Sequence, residues 1–196
     1  MERIGAFDLL IFLALFAMFI LGYAQGLVRR LLGLAAIVFS LFLAAQLRGA
    51  LGGYLAGEWA ALLPSYGYMI AFGTIFVASS VTLSIAIQIT YRPAPLLTRY
   101  PVLDEILGGV VGVVEGLVIL VAMVLVLDPY YTLPAVRTTI GAGEFGLLRT
   151  VHDFLDPSLT ADLLRHVVIP PILSLIGWLF PADVVETFTA VVVAAR

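Results

Sequence analysis

From Tyr66 to Ile89 the chain carries no charged side chain, and three further runs come close to matching it. They are Ile4–Tyr23, interrupted only by Asp8, then Leu31–Leu47, and Ile106–Leu127, interrupted only by Glu115. About 20 apolar residues as a helix cover the roughly 30 Å hydrocarbon core of a bilayer. Inside that core every backbone N–H and C=O must be bonded within the protein, so a single apolar run can cross only as a helix. The runs predict an all-α polytopic membrane protein with four transmembrane helices, at about 4–23, 31–47, 66–89 and 106–127. Residues 1–127 then form the transmembrane domain, and 128–196 an extramembrane or interfacial tail.

Composition agrees. Hydrophobic residues make up 62% of the chain and charged ones 12%, with a mean hydropathy of +1.13. That leaves too little polar surface to cover a water-soluble globule of this size. The net charge of −3 and the lack of any basic block give no support to nucleic-acid binding. The absence of cysteine excludes disulfides and thiolate metal sites. The expected partner is therefore the lipid bilayer, with other membrane proteins or a second copy of the chain beside it.

Arginine sets the expected orientation. Arg29 and Arg30 fall in the first connection and Arg92 and Arg99 in the third, against Arg48 alone in the second. Positive connections stay in the cytoplasm. With an even number of spans both termini are then external. Tyr66, Tyr68 and Tyr91 bracket the third run as interfacial aromatics would.

In the tail, "EFGLLRTVHDFLD" places Phe145, Leu148, His152 and Leu155 on one helical stripe. "PPILSLIGWLFP" is too short to span, so residues 172–180 with Trp178 are expected to lie at the membrane surface. "ADVVETFTAVVVAAR" reads as a short helix or a strand.

The fourth run poses the sharpest question. Gly108, Gly112 and Gly116 recur every fourth residue and form a groove that lets another helix backbone approach closely. Glu115, seven residues after Gly108, projects about 20° from it, on the same face. The fifteen Leu, Ile and Val residues of the run, at roughly −0.3 to −0.6 kcal/mol each, outweigh a charge penalty near 3 kcal/mol, so insertion is feasible. Ser80, Ser84 and Gln88 form a polar stripe at i, i+4, i+8 on the third run. An antiparallel hairpin of helices three and four would bring Ser80 to the depth of Glu115. The expectation is a neutral Glu115 bonded near Ser80 or Ser84, either as a packing contact or as a protonatable group on a polar path.

Other chemistry finds no footing. His152 and His166 both lie in the tail, no metal-ligand spacing or nucleophile–His–acid order occurs, and no phosphate loop is present. No catalytic residue, metal or cofactor is expected, and an enzyme is not. Asp104 and Glu105 most simply charge the first turn of helix four, where the dipole favours anions.

The residues resemble the colicin V production proteins, small bacterial inner-membrane proteins. The resemblance rests on Asp8 in "FDLLIFLALF", on Gly22, Gly26 and Arg29 in "GYAQGLVRR", and on Asp104, Gly108, Gly112 and Gly116 in "DEILGGVVGVVEG". It covers about residues 1–127, with a looser echo at "LFPADVV". Gln25 departs from a position that is commonly basic in that family, and Glu115 from one that is often Arg or another polar residue. What the resemblance implies is a non-enzymatic inner-membrane factor in toxin or protein export or envelope maintenance, acting through partner proteins. Two other functions fit the residues: an accessory subunit of a larger respiratory, photosynthetic or secretion complex, and a small channel or transporter using Glu115.

Overall fold

The computed structural model describes residues 5–59, 64–91, 100–131, 146–176 and 186. Its elements are α1 (Ala6–Gln25), α2 (Leu27–Glu58), α3 (Pro64–Thr90), α4 (Pro101–Tyr131), α5 (Gly146–Leu155), α6 (Leu159–Leu163), a π-helical turn (Leu164–Val168) and α7 (Ile169–Ile176). Among the described residues there is no strand, and α1 to α4 are long and apolar enough to cross a membrane. The protein is an all-α membrane protein.

The helix ends follow from local chemistry. Gly5 caps α1, and its N–H donates to the Asp8 carboxylate at 2.9 Å. The single residue between α1 and α2 is Gly26 at φ +76, which side-chain-bearing residues rarely adopt. α2 therefore starts at Leu27, so Arg29 and Arg30 lie inside the helix and not in the expected connection. It also continues through "GALGGYLAG" to Glu58, well beyond the expected end at Leu47. Those glycines are packing positions: a Cβ at Gly52 would overlap the Tyr68 ring, and one at Gly67 would lie 3.2 Å from the Gly52 carbonyl oxygen. α4 likewise runs past Asp128 to Tyr131.

The helices do not pair in chain order. α1 packs along α4, α2 along α3 and against α4, while α3 meets α4 chiefly through its first half, where Tyr66, Met69 and Phe72 lie. The glycine groove of α4 thus receives α1, and the expected hairpin of helices three and four is replaced. A Cβ on Gly22 would collide with the Gly108 carbonyl oxygen, one on Gly108 would come within 2.6 Å of the Gly22 oxygen, and one on Gly112 would strike the Met18 oxygen. Backbones this close gain dispersion and polar contact that lipid cannot replace. Leu41, Ala44, Ala45, Phe72 and Ala122 join α2, α3 and α4 in a second core. Outward-facing Leu10, Phe12, Val77, Val81 and Val110 are exposed in the isolated chain, as lipid-facing side chains would be.

The tail folds back on the bundle. Leu155, Ala161, Leu164 and Ile169 pack with Val121, Val124 and Leu125 of α4. His152 and Leu155 of the expected stripe are buried and Leu148 packs on the tyrosine cluster, whereas Phe145 lies outside the described residues. So do Trp178 and, apart from Glu186, residues 177–196. Tyr66 is wholly buried against Tyr130, ring centroids 5.0 Å apart, so it serves the core and not an interfacial belt.

Candidate functional site

The turn between α1 and α2 leans on the start of α4. Gly22 meets Gly108, and Gly26 leaves room for the Asp104 carboxylate, since a Cβ there would sit 2.6 Å from Asp104 Oδ2. That oxygen accepts from the Leu27 N–H at 3.4 Å. Asp104 therefore serves the N-terminus of α2 across the bundle, as well as the first turn of its own helix. Its Oδ1 is buried without a hydrogen-bond partner among the described residues.

One turn further along α2, Arg30 Nη1 donates to Glu115 Oε2 at 2.6 Å. Both residues are buried, Arg30 at 6% and Glu115 at 8% exposure. The expectation of a neutral Glu115 held by α3 serines gives way to an ion pair with α2. The reason is register: with α2 starting at Leu27, Arg30 is inside the bundle. Gly33 on the next turn of α2 makes room for the carboxylate, a Cβ there lying 3.3 Å from Glu115 Oε1. The α4 face is thus divided between its neighbours, glycines towards α1 and Glu115 towards α2.

The pair lines a cavity of about 170 Å³. Gln25, Arg29 and Gly33 border it beside Arg30, and Ser84, Ile87 and Gln88 close it from α3, opposite Glu115. Ser84, Gln88 and Glu115 of the expected polar cluster therefore do meet, around a cavity. Ser80 does not line it, and its buried hydroxyl has no hydrogen-bond partner among the described residues. Buried ionisable groups at such depth belong to bundle interiors and water-filled pockets. The two arginines and one carboxylate give the cavity a net formal charge of one positive unit. Reading Arg29 and Arg30 only as orientation signals missed Arg30 as a site residue. Its place on the buried face of a helix starting at Leu27, just after Gly26, is the signal that locates it.

A second ionic cluster closes the opposite end. Asp128, with no exposed surface, receives Arg165 Nε at 2.6 Å and Nη2 at 2.7 Å, a bidentate pair. Asp156 adds a contact to Arg165 Nη1 at 3.0 Å. Burial alone would lower the Arg165 pKa, but Asp128 and Asp156 outweigh it and the net shift is upward. His152 Nε2 lies 3.7 Å from Asp128 Oδ1. Burial pushes the His152 pKa below its ordinary value despite Asp128 and Asp156, with Arg165 adding to the depression. At the same end Asp8 Oδ1 accepts from the Thr160 N–H at 3.0 Å and hydroxyl at 2.8 Å. Asp8 thus both caps the start of α1 and ties that helix to the tail. Among the described residues no three His, Cys, Asp or Glu side chains form a metal-holding group.

Residues 7–151 match the family model described as colicin V production protein. The chain belongs to the colicin V production protein family. No curated protein and no solved structure matches it. The positions that carried the resemblance run along the α1–α4 pair, with Gly112 and Gly116 against Met18 and Leu15 in its middle. Gly22, Gly26, Arg29, Asp104 and Gly108 build the turn beside the cavity, and Asp8 docks the tail. Thr160 and Arg165, which complete the tail end of this colicin V production family member, lie beyond the matched region.

Proposed function

We propose that this protein is a non-enzymatic factor of the bacterial inner membrane, serving toxin or protein export or envelope maintenance through partner proteins. The polar cavity is its working site. The observation that carries this reading is the Arg30–Glu115 ion pair, buried in a four-helix membrane bundle and opening on a polar cavity. A packing contact needs no cavity, and ionisable groups, costly to bury in a membrane bundle, mark functional sites there. Family membership supports the export or envelope setting. The excess of arginines near the α1–α2 turn and between α3 and α4 supports a cytoplasmic turn, with the cavity beside it, and external termini.

A second reading has the cavity as part of a path for a small solute, favoured by the facing Ser84, Gln88 and Glu115. One experiment tests both. A strain lacking the native copy is complemented with wild type or Glu115→Gln, each confirmed at equal membrane abundance. Detergent and antibiotic sensitivity and release of a secreted toxin are then measured. Failure of Glu115→Gln to restore these traits is the expected result. Full complementation would overturn the cavity as the working site. Solute flux in vesicles of the purified protein, lost in Glu115→Gln, would favour the second reading.

A further inference from the structure

Arg30 is the most constrained donor in the cavity wall. Glu115 occupies its Nη1, yet its Nε is buried with no hydrogen-bond partner among the described residues. Around it stand Gln25, Arg29, Ser84 and Gln88, whose side chains make no hydrogen bond to any described residue. All of these groups can donate, and Glu115, the one acidic group among the described lining residues, has its Oε2 engaged by Arg30. A wall of unused donors with one excess positive charge suits a singly charged, oxygen-rich anion. The N-terminal dipole of α2 does not supply this preference, because Asp104 already sits at the Leu27 N–H from the α4 side. The selectivity lies in the side chains.

We propose that the cavity binds a phosphate group of single negative charge, held by Arg29 and the Arg30 Nε with Gln25, Ser84 and Gln88 as neutral donors. Guanidinium groups favour phosphate oxygens by charge-assisted, directional hydrogen bonds. The volume of about 170 Å³ equals nearly six waters at roughly 30 Å³ each, enough for a phosphate with water beside it. Gln25 closes the last turn of α1 and Arg29 lies in the first turn of α2, so both stand at the end of an apolar span, where a headgroup phosphate would run in the proposed topology. The same chemistry can come from an anionic phospholipid or from free phosphate. This assignment rests on the cavity being the working site, but its test reads binding alone and stands apart from complementation.

The full-length protein in a non-ionic detergent is titrated with phosphatidylglycerol, with phosphatidylcholine and with inorganic phosphate. Melting temperature and native mass spectrometry report binding, and Arg29→Gln and Ser84→Leu are run beside wild type. One phosphatidylglycerol bound per chain, stabilising wild type and weakened about tenfold or more in Arg29→Gln, is the expected result. Ser84→Leu, which fills the cavity from α3, produces the same loss without touching a charge. Stabilisation by inorganic phosphate at matched ionic strength, lost in both variants, supports the site with a soluble ligand as its source. Equal binding of both lipids, or phosphatidylglycerol binding unchanged in both variants, with no phosphate effect, overturns the proposal.

Discussion

Replacing Glu115 by Gln keeps the size and shape of the side chain but leaves the Arg30 guanidinium buried without its counter-charge. Removing one partner of a fully buried ion pair costs about 3–5 kcal/mol. Both groups are more than nine-tenths buried and 2.6 Å apart, but the adjoining cavity admits water, so the lower end applies. For a chain of this length each kcal/mol shifts the melting temperature by about 2–4 °C, so 3 kcal/mol predicts a fall of roughly 6–12 °C. The assay is thermal unfolding in one detergent, with Arg30→Gln and the double variant completing a cycle. Neutralising both partners removes the stranded charge, so the double variant should melt well above the sum of the two losses. If the carboxyl merely shared a hydrogen bond with an α3 serine, Glu115→Gln would cost under about 1 kcal/mol. A drop of less than 2 °C, or simple additivity across the cycle, would refute the ion-pair argument.

Gly108→Ala should destabilise by about 1–3 kcal/mol because its Cβ meets the Gly22 backbone, whereas Gly49→Ala, with open space around it, should be neutral or stabilise by up to about 1 kcal/mol in the same melts. Asp128→Asn strands Arg165 and should cost about 3 kcal/mol or more, seen as faster proteolysis within residues 146–176. The lowered His152 pKa means that the unfolded chain takes up this proton first as pH falls. The His152 contribution is therefore complete above about pH 6.5 and is lost as pH drops from there through the folded value. Melting curves from pH 8 to 5 should show this, and His152→Phe should flatten the response. For the topology, cysteines at Ala24 and Thr150, in a chain without native cysteine, should differ on intact cells, with only the latter labelled by an impermeant thiol reagent. The reverse pattern would invert the orientation.

Four helices were legible because the bilayer imposes length and apolarity on each one separately, and each run shows both. What lies between helices was less so. The stretch "GALGGYLAG" reads as a loop, since glycine weakens helices in water. Here Gly52 has its place against Tyr68, a contact invisible until α3 is set beside α2. The groove of Gly108, Gly112 and Gly116 was readable as a packing face, but its partner was assigned by chain adjacency. The small residues of "GYAQG" match that face, and only the fold shows Gly22 and Gly108 in contact. Arg30 was hidden because helix two begins at Leu27, four residues before its expected start at Leu31. The Asp128–Arg165 pair had no local signal, as neither periodicity nor spacing joins positions that far apart.

The Asp8–Thr160 contact carries a consequence for how the chain is made. The two residues are 152 positions apart, and at roughly 5–20 residues per second Thr160 follows Asp8 from the ribosome by about 8–30 s. Over that interval the only one of these bonds that Asp8 has to hand is the one from Gly5 in its own first turn. The Gly22 face of α1 likewise waits for Gly108. α1, made before the other described helices, is thus among the last of them to be completed, and a nascent chain cut short before residue 160 exposes an unfinished α1 to whatever protein surveys the membrane.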